Sequence, residues 1–326
     1  MTAIVVDKLT KRFGDLTAVD CISFEIKEGE IFGLLGPNGA GKTTTISMLS
    51  TLLEPTSGRA LVNGIDISKD QDGVRKSIGI VFQDQSLDEE LTAWENMDFH
   101  GRLYRIPKAT REERIDEMLR LVELEDRKDS LVKTYSGGMR RRLEIARGLL
   151  HEPAVLFLDE PTLGLDPQTR NHLWEYILTL NRNKGITIIL TTHYMDEADR
   201  LCDRVAIIDR GRIVAMDTPA NLKSMVGEDV VTVLSPDSKR IAEEITAPWI
   251  VGAEQYDGQV TIRLRSAEDH LLELLSLIGR DGYTIASISI RKPTLEDVFL
   301  HYTGREMRQE EAGAADRMRM MMPRRN

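Results

Sequence analysis

The sequence predicts an α/β fold in which helices cover both faces of a mostly parallel sheet. A small antiparallel β subdomain precedes this core, a helical insertion interrupts it, and a small α+β domain follows. Three observations predict this arrangement. Short apolar runs such as 31–35 and 155–158 alternate with segments of helical periodicity. A glycine-rich stretch at 36–43 separates an apolar run from a helical segment, and an acidic pair, Asp159 and Glu160, directly follows another apolar run.

Length and composition indicate a globular protein of more than one domain. The 326 residues are 41% hydrophobic and 29% charged, which predicts one large and one smaller domain. The net charge of −10 argues against a general nucleic-acid binder, which would be basic. Cys21 and Cys202 lack the spacing of metal ligands or redox pairs, so we expect reduced thiols. Neither a signal peptide nor a run of about 18 apolar residues is evident, so we expect any membrane role to depend on a partner.

The elements of the larger domain follow in chain order. Alternating residues at 4–30 predict an antiparallel sheet, and an apolar strand at 31–35 leads through the glycine-rich loop into a helix over 42–52. Asn63 and Gly64 lie between β-forming residues and predict a hairpin within 58–67. A strand at 78–82 precedes a helical subdomain at about 84–150. Strands at 155–158, 186–190 and 205–208, a helix over 173–181 and a last apolar stretch at 211–216 complete the domain.

The remainder of the chain predicts a second domain. Strands at 230–234, 260–264 and 285–290 alternate with helices at 238–245, 268–278 and 295–300, which is typical of an α+β domain. We therefore assign the larger domain to 1–225, the smaller one to 226–303 and a flexible basic, methionine-rich tail to 304–326. Such a tail is either a solvated end or a segment that contacts anionic lipid.

The glycine-rich stretch has the chemistry of a phosphate-binding loop. It matches the pattern G-x-x-x-x-G-K-[ST], in which glycines let successive backbone N–H groups face one anion. The following helix directs its positive N-terminal end at the same point. We expect Lys42 to reach the β- and γ-phosphates of ATP and the Thr43 hydroxyl to bind Mg²⁺. The predicted nucleotide-binding residues of the loop are Gly36, Pro37, Asn38, Gly39, Ala40, Gly41, Lys42, Thr43 and Thr44.

The acidic pair after the strand at 155–158 suits phosphate hydrolysis. Asp159 can hold Mg²⁺, and Glu160 can orient or deprotonate the attacking water. Alone, the pair is equally explained as two solvated residues at the start of a loop. Its position on the next strong strand after a phosphate-binding loop favours the functional interpretation, because ligands of such sheets bind at the carboxyl ends of the strands.

Together with a third motif, these segments resemble the ATP-binding cassette (ABC) ATPase family over residues 3–225. That family has a signature motif, usually Leu-Ser-Gly-Gly-Gln, which Ser136, Gly137 and Gly138 match. The resemblance implies that they contact ATP held by a second subunit, and Ser136 is a good helix N-cap. Tyr135 and Met139 depart from the family pattern, and Met139 cannot close a capping box. The run 135–143, with three successive arginines, resembles the daunorubicin-resistance (DrrA-like) branch.

The resemblance carries over four further residues. Gln83 matches the glutamine that senses Mg²⁺ and links the core to the helical subdomain, and it is implied in both catalysis and metal binding. His193 matches the histidine that bonds the γ-phosphate. Asp166 matches the aspartate of a loop near the dimer interface, and Phe13 matches the aromatic residue that stacks on adenine.

The resemblance also implies a mechanism and partners. Two copies would form a head-to-tail dimer with ATP between the loop of one and Ser136 of the other, and hydrolysis would release them. The expected setting is the cytoplasmic face of the cell membrane, beside a multi-spanning permease on a separate chain, with export of a drug-like or hydrophobic compound. Two alternatives stay open: a soluble ABC ATPase that acts on a non-transport assembly, and a regulator that no longer hydrolyses ATP. Intact Lys42, Asp159, Glu160 and His193 argue against the regulator.

Overall fold

A computed structural model describes residues 1–256, 258–280 and 283–304, which form two compact units. The first unit comprises Met1–Pro219, and the second runs from Ala220 to the end of the described residues. The predicted tail lies outside the described residues from 305 onward. None of the described helices is long and apolar enough to cross a membrane.

The first unit begins with an antiparallel sheet. Its strands are β1 (Thr2–Phe13), β2 (Leu16–Lys27), β4 (Ser57–Val62) and β5 (Ile65–Asp66), in the order β2-β1-β4-β5. Asn63 and Gly64 join β4 to β5 with φ angles of 49° and 75°. Positive φ at both central residues matches the twist of an antiparallel pair, so the predicted hairpin is confirmed.

A second sheet of the first unit is mainly parallel. It contains β3 (Ile31–Leu35), β6 (Ile78–Val81), β7 (Val155–Asp159), β8 (Thr187–Thr192), β9 (Arg204–Asp209) and β10 (Arg212–Asp217). Its order is β10-β9-β3-β8-β7-β6, and only the β9–β10 pair is antiparallel. Because β3, β6, β7 and β8 run in one direction, the segments that follow them meet at one edge of the sheet. That edge carries the predicted site.

Apolar residues of the two sheets share one core. Phe24 of β2 stacks on Phe32 of β3 with the ring centroids 5.3 Å apart. Ile4 of β1, Phe157 of β7 and Ile46 of the first helix are at most 1% exposed in the same cluster. This packing holds β3 rigidly, and with it the start of the loop that follows.

Helices of the first unit are α1 (Lys42–Leu49), α2 (Gln71–Ser77), α3 (Ala93–Leu103), α4 (Lys108–Leu121), α5 (Gly137–Leu149), α6 (Pro167–Lys184) and α7 (Met195–Leu201). The predicted helical insertion corresponds to α3–α5 with two short 3-10 turns, Glu125–Arg127 and Val132–Thr134. A capping box between Thr92 and Glu95 begins α3. The predicted α/β fold with its helical insertion is confirmed.

The second unit is an antiparallel sheet with helices. It contains α8 (Pro219–Val226), β11 (Asp229–Leu234), α9 (Ser238–Glu244), β12 (Ile250–Tyr256), β13 (Gln259–Leu264), α10 (Ala267–Arg280), β14 (Ser287–Arg291) and α11 (Leu295–Thr303), with the strand order β12-β13-β11-β14. Val231, Ile262 and Leu274 are among its buried core residues. The predicted α+β character is confirmed.

Four elements, β12, α2, α7 and α8, were not predicted from the sequence. β12 is an edge strand whose pairing with β13 is irregular between Ile250 and Gly252, so its alternation is broken. α2 and α7 have seven residues each and are rich in charged residues. Helical periodicity needs a longer window to be distinct.

Candidate functional site: a phosphate-binding loop beside an acidic strand end

At two positions of the loop after β3, the backbone leaves room only for glycine. A Cβ on Gly36 would lie 2.2 Å from the carbonyl oxygen of Ile208. Gly41 has φ of 106°, and a Cβ there would lie 2.5 Å from the carbonyl oxygen of Ala18. The loop is therefore pressed against the ends of two neighbouring segments and directs its other face outward.

That outward face lines a cavity of about 600 Å³. The cavity joins the loop to residues from three other strand ends, because these strands are parallel neighbours. Its lining residues are Ala18, Asn38, Gly39, Gly41, Lys42, Thr43, Thr44, Gln83, Glu160, Leu163 and His193. The structure thus brings together most of the predicted loop residues and all three predicted catalytic residues.

Lys42 begins α1 and is only 4% exposed. Its Nζ donates to the carbonyl oxygens of Gly36 and Pro37, at 2.7 and 3.1 Å, and lies 3.4 Å from Oε1 of Glu160. The ammonium group is therefore held by loop carbonyls beside the N-terminus of α1, where both the charge and the helix end favour an anion.

Glu160 occupies an unusual backbone conformation. Its φ is 46°, in the left-handed region, which costs a residue with a side chain about 1–2 kcal/mol. Its N–H donates to the carbonyl and hydroxyl oxygens of Thr191, at 3.2 and 3.0 Å. These bonds hold the turn that aims the carboxylate into the cavity.

The surroundings of the Glu160 side chain favour its ionised form. Oε1 lies 3.3 Å from Nδ1 of His193 and 3.4 Å from Nζ of Lys42. Burial raises the pKa of Glu160, but the hydrogen bond with His193 and the charge of Lys42 outweigh burial and hold the pKa below its usual value of 4.5. At neutral pH the group is a carboxylate and can accept a proton.

Asp159, the last residue of β7, is 2% exposed and faces the start of α1. Its Oδ1 accepts hydrogen bonds from the hydroxyls of Thr43 at 3.2 Å and Thr191 at 2.5 Å. Burial raises the pKa of Asp159, while these two hydroxyls lower it in part. A hydroxyl and a carboxylate side by side are the oxygen ligands that Mg²⁺ prefers.

The Ser136 segment lies elsewhere on the first unit. Ser136 caps α5, since its Oγ accepts the N–H of Met139 at 3.3 Å, without a capping box. A Cβ on Gly138 would lie 2.3 Å from Cγ2 of Thr169, so α5 packs closely on α6 at this glycine. Ser136 and Gly138 line a second cavity of about 490 Å³, which shares no lining residue with the first, and Gly137 lies beside them at the first position of α5.

Comparison with known proteins agrees with this geometry. Residues 19–163 match the family described as ABC transporter, and residues 218–303 match the family described as ATP-binding protein DrrA1-3-like, C-terminal domain. The chain is 39% identical over 317 residues, 95% of its length and 99% of the relative's, to the daunorubicin resistance ATP-binding protein DrrA3 of Streptomyces coeruleorubidus. The chain belongs to the DrrA-like branch of ABC transporter ATP-binding proteins.

Two further similarities are to an export ATP-binding protein and to a solved structure with bound nucleotide. It is 41% identical over 304 residues to the Nod factor export ATP-binding protein I of Ralstonia nicotianae, covering 93% of this chain and 94% of the relative. Its structure aligns, with a TM-score of 0.59 and 29% identity, to the dimeric ATP-binding cassette MJ0796 in a post-hydrolysis state with ADP and Pi. That alignment covers 66% of this chain and 98% of MJ0796.

As an ABC ATP-binding protein, the chain binds ATP and hydrolyses it to ADP and phosphate, and its loop fits a triphosphate. Gly39 has φ of 80° and no atom within 4 Å of the position of a Cβ, so bare backbone faces the cavity. The N-terminus of α1 and Lys42 supply positive charge at the same wall. Bound ATP contributes the phosphoanhydride bond that water cleaves.

Besides Gly36, Pro37, Ala40 and the Ser136–Gly138 segment, the predicted binding residues Phe13 and Asp166 lie outside the lining of the first cavity. Phe13, the last residue of β1, is 48% exposed with Nζ of Lys11 5.1 Å from its ring centroid. Asp166 begins α6 as its N-cap: its carboxylate accepts the N–H groups of Gln168 and Thr169 and the Thr169 hydroxyl. A helix-capping role was not part of the sequence prediction, although Asp directly before Pro167 is a helix-start signal.

Asp166 offers a test of that capping role. Asp166→Ala is expected to lower the melting temperature by about 2–4 °C, because α6 loses its N-cap, whereas Asp166→Asn is expected to keep the wild-type value. Thermal unfolding followed by circular dichroism measures both. Equal melting temperatures for all three proteins would show that the cap contributes nothing to stability.

Thr191 bonds both carboxylate-bearing residues and was not predicted as part of the site. Its hydroxyl donates to Asp159 and accepts from the N–H of Glu160. A threonine that directly follows the apolar run 188–190, two residues before His193, was the available signal. The hydroxyl thus links the Asp159 carboxylate to the backbone of Glu160.

Proposed function

We propose that this ABC ATPase drives export by alternating between an ATP-bound dimer and separated subunits. The observation that carries the proposal is the separation of two surfaces on one chain: the loop cavity, and the Ser136–Gly138 surface formed by the start of α5. A head-to-tail pair of chains would bring the Ser136–Gly138 surface of each against the loop cavity of the other, so two composite sites would form. The dimer that MJ0796 forms supports a two-subunit arrangement.

Each residue of the site has a role in this proposal. Lys42 neutralises phosphate charge, and His193 contacts the terminal phosphate. Thr43, Asp159 and Gln83 are the proposed Mg²⁺ ligands, directly or through water; when bound, the ion supplies charge that stabilises the phosphates. Glu160 accepts a proton from the attacking water, which its ionised state permits. Phe13 stacks on adenine, and Asp166 orders the segment beside Gly138 through Thr169.

The proposed partner is a multi-spanning permease on a separate chain, at the cytoplasmic face of the cell membrane. Relatives that are named for drug resistance and for Nod factor export support export as the direction. The cargo class that we infer is a drug-like or hydrophobic compound. Cargo contacts would lie in the permease. This chain would therefore power the transport cycle, and the permease would select the cargo.

ATP-dependent dimerisation tests the proposal on the isolated protein. Glu160→Gln with ATP is expected to elute as a dimer in size-exclusion chromatography, and Glu160→Gln/Ser136→Asp as a monomer. Aspartate preserves the N-cap of α5, but its negative charge repels the triphosphate bound to the other subunit. Both variants are expected to bind fluorescent ATP equally. A monomeric Glu160→Gln protein saturated with ATP would contradict the head-to-tail mechanism.

Recovery of the partner tests the transport role. A tagged chain, extracted from native membranes in mild detergent, is expected to retain a multi-spanning membrane protein in equal amount, which mass spectrometry identifies. Recovery with a soluble assembly alone would favour a non-transport ATPase and overturn the export proposal.

A further inference from the structure

The three successive arginines of α5 have distinct environments, although the sequence singled them out only as a branch marker. Nη1 of Arg142 donates to the carbonyl oxygen of Val122 at 2.9 Å, within the helical insertion. Arg140 and Arg142 keep 19% and 27% of their side-chain surface exposed, against 8% for Arg141. Only Arg141 points into the core of the first unit, so its role is separate from that of its neighbours.

Arg141 binds the main chain at the ends of two strands of the site. Nη2 donates to the carbonyl oxygens of Asp159 and Glu160 at 2.9 and 3.3 Å, and Nε donates to that of Pro161 at 2.9 Å. Nη1 donates to the carbonyl oxygen of Phe82 at 2.5 Å, directly before Gln83. One planar guanidinium therefore spans three successive peptides after β7 and the end of β6, which a single ammonium group cannot do.

These bonds act where the backbone is strained. Glu160 has φ of 46°, and Thr191 anchors only its N–H side. Arg141 donates to the carbonyl oxygen of Glu160 itself and to those of Asp159 and Pro161 on either side of it. Hydrogen bonds on both sides keep Glu160 in its left-handed conformation, because relaxation of either neighbouring peptide would rotate its carboxylate.

Glu144 extends this arrangement to the segment after Gln83. Its Oε2 lies 3.0 Å from Nη1 of Arg141, and its Oε1 accepts the N–H of Ser86 at 2.8 Å. The Glu144 side chain is 1% exposed, so the two charges compensate each other inside the protein. We call Arg141 and Glu144 the α5 clamp.

We propose that Arg141 is a positioning residue for ATP hydrolysis, which holds the peptide of Glu160 so that its carboxylate reaches the attacking water, with Glu144 fixing the segment after Gln83 to the same guanidinium. The inference rests on the proposed role of Glu160 as base. Ser136, the N-cap of α5, lies five residues before Arg141, so the clamp ties the Ser136–Gly138 surface of a chain to that chain's own carboxylates. The position of α5 and the orientation of the Glu160 carboxylate are therefore coupled.

The decisive variant removes both charges of the clamp. Arg141→Gln alone would leave Glu144 buried without its counter-charge and strongly destabilise the protein, so the test uses Arg141→Gln/Glu144→Gln. The expected result is a fall of kcat by about 30-fold or more, with the Kd for fluorescent ATP within about threefold of wild type. Turnover within threefold of wild type in the folded double variant would overturn the proposal.

The matched control is another buried arginine–carboxylate pair of the first unit, remote from the carboxylates. Nε of Arg111 donates to Oδ1 of Asp98 at 2.6 Å, with the two side chains 8% and 10% exposed. Arg111→Gln/Asp98→Asn is expected to lose comparable thermal stability and to keep kcat within about threefold. An equal loss of kcat in both double variants would show that the clamp acts only through stability, and would overturn a positioning role.

A combination with Glu160→Gln separates positioning from general damage. If Arg141 acts through Glu160, the clamp substitutions added to Glu160→Gln are expected to lower single-turnover phosphate release by less than threefold further. A full additional 30-fold loss would mean that the clamp acts independently of Glu160 and would overturn the inference. Wild-type turnover of Glu160→Gln itself would instead remove the base role, and the positioning inference with it.

Discussion

Replacing Glu160 with glutamine is expected to lower ATP hydrolysis by about 10²–10⁴-fold while ATP binding stays close to wild type. Glutamine keeps the size of the side chain but has no basic oxygen for the proton of the attacking water. The present carboxylate is 7% exposed and lies within 3.4 Å of both His193 and Lys42, so the substitution changes one group in a fixed setting. Phosphate release at saturating ATP measures turnover, and a fluorescent-ATP titration measures binding.

Glu30 provides a control of equal burial. It is also 7% exposed, and its carboxylate accepts the N–H of Lys27 at 2.7 Å and pairs with Arg204 at 3.1 Å, away from the loop cavity. Glu30→Gln is expected to reduce stability but to keep turnover within about twofold. Turnover of Glu160→Gln equal to that of Glu30→Gln would remove Glu160 from the base role.

The pKa of Glu160 adds a pH criterion. Because that pKa is held below 4.5, Glu160 of the nucleotide-free protein stays ionised as the pH falls from 8 to about 5.5. Ionised Glu160 also stabilises the folded protein. This stabilisation is present above the unfolded-state pKa near 4.5 and is lost as the pH falls through the lower folded-state pKa.

The parts of the site that follow from local sequence were predictable. The loop at 36–43, the strand end at Asp159 and the N-cap at Ser136 each depend on a few consecutive residues whose chemistry fixes a local conformation. The parallel strands then bring the loop, Gln83, Glu160 and His193 to one cavity, because their carboxyl ends share an edge. The order and direction of the strands therefore bring the separate motifs together into one site.

Contacts between distant segments were not predictable. Thr191 is 32 residues from Asp159, and Arg141 is 59 residues from Phe82, so neither pairing leaves a local pattern. Arg141 belongs to a run of three arginines, yet it is buried, because backbone carbonyls and Glu144 satisfy its donors. Long polar side chains that serve buried main chain are invisible to hydrophobic periodicity.

Lys42→Ala is expected to weaken ATP binding by about 10–150-fold, because charge-assisted hydrogen bonds to phosphate contribute about 1.5–3 kcal/mol. Its Nζ already sits at the cavity wall, held by the carbonyl oxygens of Gly36 and Pro37, so little reorganisation is needed to meet a phosphate. Titration with fluorescent ATP measures the change, and Lys42→Met is the control for shape, since it keeps the length of the side chain without its charge.

The same substitution tests the electrostatic link to Glu160. Loss of the Lys42 charge removes one of the influences that lower the pKa of Glu160, so this pKa is expected to rise in both Lys42 variants. Turnover at saturating ATP should then fall at a higher pH than in wild type. Equal loss of affinity in Lys42→Ala and Lys42→Met would assign the effect to charge. Wild-type affinity in Lys42→Met would instead show that the aliphatic stem supports the loop, and the glycine-rich backbone and the N-terminus of α1 would remain as the source of phosphate binding.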